Sequence, residues 1–232
     1  MEITYNKEYL DLVKSLSSIN PAIIFEKVEN NRILVKRNNA SSSIIYTLEA
    51  SDTNFNFSSE DLAFYNYPEF HQLLSVFDDP TLTESENKIK IEENKSKIHY
   101  KVSDSEVIQK VNGTGKVPPP NAIITISSDQ LDEIKKMIGL VSAEKVKFKV
   151  TEGSKELTCK FFNLSHSNNW ENEYEVDKES DIDFELTISS QVFSLIPKNS
   201  YEIRINEAGV IKMHYINDEF DLNLYIPEDT EA

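Results

Sequence analysis

The sequence predicts an α+β chain made of two similar halves, each of helices packed on antiparallel sheets, and three observations carry that expectation. Residues 104–121, near the middle, hold two of the five glycines and three of the eight prolines. Such a stretch suits neither a helix nor a ladder, because glycine costs backbone entropy and proline removes a donor and fixes φ. The order of amphipathic helices and short alternating strands before it recurs after it. The offset is also nearly constant: a shift of 121 places Leu10 on Leu131, Asp11 on Asp132, Val13 on Ile134, Lys14 on Lys135 and Leu16 on Met137. A shift of 122 places Leu73 on Leu195 and Leu74 on Ile196. Two segments sharing one offset are the mark of a duplication. The expected organisation is a domain over residues 1–103, a linker over 104–121 and a second domain over 122–232.

Residues 5–19 read as the first helix, since Tyr9, Leu10, Leu12, Val13 and Leu16 share one face and Asn20-Pro21 ends it. Strands follow at residues 22–27, 32–37 and 44–48, separated by asparagine turns, with Phe55, Phe57 and residues 62–65 as further strand-like material. Pro68 opens a second helix in its first turn, where a missing N–H does no harm, and Phe70, Leu73, Leu74 and Phe77 form its stripe. Alternating runs at 88–92 and 97–102 make a hairpin around Glu93-Asn94.

Beyond the linker, residues 123–126 are a strand and Ser127 or Ser128 caps a helix over 129–141, whose apolar face is Leu131, Ile134, Met137, Ile138 and Val141. A hairpin is expected from 146–150 and 157–162, and a strand from 182–188, which alternates cleanly. A short helix over 189–196 stops at Pro197, and runs at 201–205, 210–215 and 220–226 form a meander. Each half then reads as helix, three strands, helix, three strands.

The chain of 232 residues carries a formal charge of −16, unevenly divided. Residues 1–120 hold 13 basic and 18 acidic side chains, and the remainder holds 11 and 22. That balance disfavours a conventional nucleic-acid binder with a basic field over its surface, so any DNA contact has to be local, where lysines cluster. No apolar run approaches the roughly 20 residues needed to span a bilayer, the first residues lack the features of a secretion signal, and one cysteine, Cys159, excludes an internal disulfide. The expectation is a soluble intracellular protein with no membrane partner.

No catalytic constellation emerges, and the chain is read as a non-enzyme without metal or cofactor. His71, His99, His166 and His214 are isolated, with no metal-ligand spacing among them. Gly113-Thr114-Gly115-Lys116 lacks the full phosphate-loop spacing and reads as linker. Asp181 and Asp183 alternate with Ile182 and Phe184 and read as the solvent face of a strand. Trp170, beside Asn168-Asn169, reads as a packing or partner residue.

A family resemblance enters on particular residues. The first helix with Lys7 and Lys14 runs into Ser18-Ile19-Asn20. The run Phe70-His71-Gln72-Leu73-Leu74-Ser75 is followed by Asp78-Asp79 and an Ile89-Lys90-Ile91 strand. Ile126-Ser127-Ser128-Asp129-Gln130-Leu131 follows the proline-rich linker. Together with chain length and element order, these resemble the sliding clamp, or DNA polymerase processivity factor, of T-even-type bacteriophages. The resemblance implies the DNA clamp fold and a head-to-tail homotrimer of six similar domains, closed as a ring with helices inside and sheets outside. It implies encircled double-stranded DNA, loading by a clamp loader ATPase, tethering of the replicative DNA polymerase and residence in the cytoplasm of the infected bacterial host. Activation of late transcription is a further role in that family.

Such a ring needs only weak, non-specific phosphate contacts, with positive charge confined to the polar faces of pore helices. Lys7, Lys14, Lys135, Lys136 and Lys198 are the candidates, and the second helix offers no lysine. By resemblance, the last strand of the first domain, with Lys97, His99, Tyr100 and Lys101, pairs with a neighbouring copy's strand carrying Glu171, Glu173 and Glu175. The resemblance also implies a pocket for short C-terminal peptides of the polymerase and loader, for which Val107, Ile108 and Val111 of the linker and Tyr225, Ile226 and Pro227 of the last strand are the candidates. The rival reading is a β-rich viral structural or assembly protein without DNA binding.

Overall fold

The structure is a computed structural model that describes residues 1–111, 117–165 and 167–229. Gly113, Gly115 and Lys116 of the expected linker, and His166, lie outside the described residues. Two compact units divide the chain. One comprises Met1–Asn38, Tyr46–Asn112 and Asp218–Asp221, and the other Asn39–Ile45, Gly113–Asn217 and Leu222–Ala232.

The first unit begins with a strand where the periodicity alone gives only the helix. β1 is Glu2–Tyr5, and α1 is Lys7–Leu16. Asn6 between them is extended (φ −97°, ψ 123°), and its side chain accepts from the backbone N–H groups of Glu8 and Tyr9 at 2.9 and 3.4 Å. That N-cap fixes where the helix starts. α1 buries Tyr9, Leu10, Leu12, Val13 and Leu16, the five positions the periodicity selects. At about 1.5–3 kcal/mol for each large apolar side chain removed from water, this face outweighs the weak intrinsic stability of a ten-residue helix.

Strands β2 (Ile23–Val28), β3 (Arg32–Asn38), β4 (Ile45–Ser51), the two-residue β5 (Phe55–Asn56) and β6 (Asp61–Phe64) follow. Then come α2 (Tyr67–Leu74) and β7 (Thr81–Ser85), β8 (Lys88–Glu93) and β9 (Ser96–Lys101). β7 is not expected from the sequence, since only Leu82 among its five residues is buried and the run shows no alternation. Within this unit the strand orders are β5-β1-β7-β8-β9 and β4-β3-β2-β6. Phe64 joins the second sheet to α2, with ring centroids 4.6–5.9 Å from Phe25, Tyr67, Phe70 and Tyr100.

The second unit repeats this. β10 (Ala122–Ile126) leads into α3 (Ser128–Val141), closed by a capping box in which Ser127 and Gln130 satisfy each other's backbone N–H groups. β11 (Lys145–Val150), β12 (Glu156–Phe162), β13 (Asn169–Glu175) and β14 (Phe184–Ser189) precede α4 (Gln191–Leu195). β15 (Tyr201–Asn206), β16 (Val210–Tyr215) and β17 (Phe220–Pro227) complete it. The strand orders, β10-β15-β16-β17 and β13-β12-β11-β14, reproduce those of the first unit, β5 aside.

Each unit is therefore two βαβββ repeats, where the sequence suggested two αβββ repeats. The added strand matters, because β1 pairs with β7 and β6 with β2. Each repeat lends its first strand to the sheet of the other, so neither closes a core alone. Two further differences are local. β14 starts at Phe184, so Asp183 is exposed as expected but lies before the strand, where it accepts the Glu152 N–H at 2.7 Å and holds the β11–β12 turn. The segment after β9 is not featureless either: Ser105–Val107 form a 3₁₀ turn capped by Asp104.

Candidate functional site

Three groups of residues bear on function. The first is the polar side of the helices. Lys7 and Lys14 are exposed on α1, seven residues and thus two turns apart, so they share a face. On the same face, between them, Asp11 Oδ1 meets His71 Nε2 at 2.7 Å, tying α2 to α1. On α3, Lys136 is exposed, but its neighbour is committed elsewhere. Lys135 is half-buried and donates from Nζ to the Ile196 carbonyl at 2.6 Å, at the end of α4. Burial pulls its pKa down, with Asp132 opposing and Lys198 adding to the shift. Lys198 is exposed and ion-paired with Asp132, which raises its pKa. The helix bodies carry four lysines against six carboxylates, so their polar faces make no positive field.

The second group lies on two open sheet edges. β9 ends the sheet of the first unit and β13 ends a sheet of the second. On β9, Lys97, His99 and Lys101 are exposed, while Ile98 and Tyr100 point inward, with Tyr100 stacked near Phe64 at 5.9 Å. On β13, Glu171, Glu173 and Glu175 are exposed, and Trp170, Asn172 and Tyr174 take the other face.

Backbone direction adds a constraint. The Val102 N–H bonds to the Asn87 carbonyl on the β8 side. The backbone groups of Lys97, His99 and Lys101, one step out of phase, therefore point to the open edge. The Val176 N–H bonds to the Lys155 carbonyl on the β12 side, which likewise turns those of Glu171, Glu173 and Glu175 outward. Among the described residues, the Glu173 N–H alone is met there, at 3.1 Å, by the side chain of adjacent Asn172. On both edges the charged residues are thus the ones whose peptide groups await a partner.

The third group is the segment after β9. Ile108 is 4% exposed and packs against Ile24 and Ala63, whereas Val107 is 68% exposed. Val111 lines a cavity of about 120 Å³ with Ile24, Glu26, Lys36, Arg37 and Lys110. Arg37 is a residue that sequence reasoning missed. It falls in the buried phase of β3 with Ile33 and Val35, and its Nη1 donates to the Gln109 carbonyl at 2.7 Å, holding the segment against the sheet. Its place in an apolar alternation was the available signal. In the second unit, Ile226 is buried, Pro227 is exposed, and half-exposed Tyr225 has the Lys212 ammonium 5.7 Å from its ring centroid.

Among the described residues, no three His, Cys, Asp or Glu side chains are grouped to hold a metal. Cys159 is buried, and burial pushes its thiol well above the ordinary range, so it is not a thiolate nucleophile.

No protein-family model matches the chain, and no curated protein matches it in sequence. Solved structures do match. The proliferating cellular nuclear antigen of Entamoeba histolytica is 16% identical, with a TM-score of 0.77 over 98% of each chain. That of A. fulgidus, solved with the C-terminal region of FEN-1 bound, is 8% identical, with a TM-score of 0.76 over all of each chain. That of Thermococcus kodakaraensis is 14% identical, with a TM-score of 0.75 over 98% of this chain and 99% of its own. At these identities the likeness is one of architecture: the chain has the DNA clamp fold, two similar α+β domains with few helices and antiparallel sheets.

Proposed function

We propose that the chain is a non-enzymatic DNA sliding clamp of the T-even bacteriophage type. Three copies close head to tail around duplex DNA in the cytoplasm of the infected bacterium and tether the replicative polymerase. A clamp loader ATPase opens and places the ring. The observation that carries this reading is the pair of matched open edges on a chain whose fold covers the whole of known clamps. Antiparallel pairing of β9 with β13 of a second copy sets Lys97 against Glu175, His99 against Glu173 and Lys101 against Glu171. In that register, outward peptide groups meet outward peptide groups and unlike charges share a face. Because the two edges differ, the contact is heterologous and generates a ring if the rotation closes.

Retention by topology also fits the charge. An acidic chain that surrounds DNA needs no grip, and Lys7, Lys14 and Lys136 supply the weak phosphate contacts that permit sliding. Val107 and Val111, after β9, contact a short partner peptide, of which the cavity of about 120 Å³ beside Val111 admits no more than one side chain. The deciding experiment is mass in solution with DNA retention. The expected result is a species of about 80 kDa, three times the 26.6 kDa chain, retained on circular but not short linear duplex, and only with loader and ATP. A monomer at all concentrations, or equal retention on both DNAs, refutes the proposal.

A further inference from the structure

We infer that the solvent face of the β13-β12-β11-β14 sheet binds a mononucleotide, with its phosphates at Lys149 and Lys160 and its base on the ring of Phe162. The site lies within the second unit and does not depend on the edge pairing proposed above.

Alternation divides the side chains of this sheet between two faces. β11 and β12 bury Val146, Phe148, Leu157 and Phe161, so the solvent face carries Lys147 and Lys149 from β11 and Thr158, Lys160 and Phe162 from β12. Lys147 stands directly opposite Lys160, and Lys149 opposite Thr158. Like charges so opposed destabilise a ladder. The half of the chain after residue 120 holds 22 acidic side chains against 11 basic ones, so its composition does not favour such a pair.

Nearby carboxylates relieve only part of the repulsion. Lys147 Nζ donates to Glu185 Oε2 at 2.9 Å. That hydrogen bond chiefly, and after it the charges of Lys147 and Lys149, hold the Glu185 carboxyl below its ordinary value. Glu171 is opposite Lys160 in register, yet neither Lys149 nor Lys160 makes an ion pair among the described residues. These two lysines are diagonal neighbours across the ladder, with Cβ atoms roughly 7 Å apart, so both ammonium groups reach one phosphate or two joined ones.

The same residues line a cavity of about 570 Å³ together with Asn168 and Asn169. That is within the range of small-molecule sites, roughly 300–1,000 Å³, and exceeds what a lone phosphate fills. Phe162 is half-buried, two residues beyond Lys160 and opposite Asn169, and it is the one apolar side chain on this face of the four strands. Its ring meets no other ring among the described residues. A bare aromatic face beside unpaired ammonium groups suits a base carrying phosphates, and the Asn168 amide, without a partner among the described residues, is available to the base edge. Glu171 on β13 and Glu185 on β14 flank the cavity. A polynucleotide crossing the sheet would lay phosphates on a carboxylate at either side, which favours a single nucleotide over a strand.

The test is titration calorimetry of the full chain with ATP, inorganic pyrophosphate, adenosine and a short single-stranded oligonucleotide. ATP is expected to bind saturably and more tightly than pyrophosphate or adenosine. Lys149→Gln, at an exposed position, and Lys160→Gln should each weaken ATP and pyrophosphate at least about 10-fold. Phe162→Leu should weaken ATP at least about 5-fold and leave pyrophosphate unchanged, which also shows that the sheet is intact. No saturable binding of ATP, or ATP binding indifferent to both lysine variants, overturns the site. ATP bound no more tightly than pyrophosphate, or an oligonucleotide bound more tightly than ATP, overturns the mononucleotide. Assembly of copies is read separately by sedimentation, so each of these results leaves the ring standing.

Discussion

Reversing the charge of one edge tests the ring contact where its physics is simplest. In the register above, Lys97 and Lys101 oppose Glu175 and Glu171, and all four are exposed edge residues. A directly opposed pair of unlike charges in a ladder contributes about 0.2–1 kcal/mol, and like charges cost a similar amount. Lys97→Glu with Lys101→Glu replaces two attractions by two repulsions, a change of about 1–4 kcal/mol per contact, or roughly 5- to 800-fold in dissociation constant. Solvent screening places the expected value in the lower half of that range. Sedimentation velocity at about 50 and about 500 mM salt, where the Debye length is roughly 14 and roughly 4 Å, separates charge from other causes. The wild-type chain should dissociate more readily at high salt and the reversed variant less readily. Adding Glu171→Lys and Glu175→Lys to the reversed chain should restore assembly. Equal dissociation constants for all three chains, or no salt dependence in any, would show that these edges do not meet.

Three further outcomes are expected. Lys7→Gln with Lys14→Gln should lower the slope of log affinity for duplex against log salt by about 0.9 for each phosphate no longer neutralised, and an unchanged slope would place those lysines away from DNA. Lys135→Met leaves the Ile196 carbonyl without its donor and should cost about 1–3 kcal/mol in thermal or denaturant unfolding, whereas Lys136→Met, at an exposed position, should stay within about 0.5 kcal/mol. Burial pushes the Glu84 carboxyl up, but hydrogen bonds from the hydroxyl and N–H of Ser58 and from Ser59 together hold it below its ordinary value. Its contribution is therefore fully present above the ordinary carboxylate range and is lost as pH falls through the depressed value. Glu84→Gln should flatten that part of the acid limb of a stability–pH curve, and an unaltered limb would refute the assignment.

Much of the fold was legible because hydrophobic periodicity is a local signal. The buried face of α1 matches its predicted positions one for one, and the duplication offset reappears as N-caps at Asn6 and Ser127, 121 residues apart. What escaped were strands too short or too polar to alternate. β1 has four residues and only Ile3 buried, and β7 only Leu82. These strands exist because longer neighbours template them: β8 pairs β7 along its whole length, and β7 in turn holds β1. Such a strand is stabilised by residues far away in sequence, so its own residues carry little trace of it. The exchange of first strands between repeats was hidden for the same reason.

The surroundings of the candidate residues were legible in part, and the helix lysines show where legibility stops. Spacing puts Lys135 and Lys136 on the polar side of α3 but cannot tell that Lys135 reaches a carbonyl of α4, or that Lys198 meets Asp132. Both are tertiary contacts between segments some 60 residues apart in the chain. Their effect on mechanism is direct. A cation held by a carbonyl or a carboxylate of its own unit has already given up part of its hydration and its freedom, and transferring it to a phosphate recovers little. Among the described residues, the positive charge left unpaired on the helices is Lys7, Lys14 and Lys136, beside carboxylates that outnumber all the helix lysines. So few free cations give at most a weak attraction to DNA at physiological salt, since each phosphate contact is weakened as counterions compete. On the clamp reading proposed above, closure rather than attraction keeps the chain on DNA, and the strength of the β9–β13 contact, not the charge of the helices, sets how long it remains.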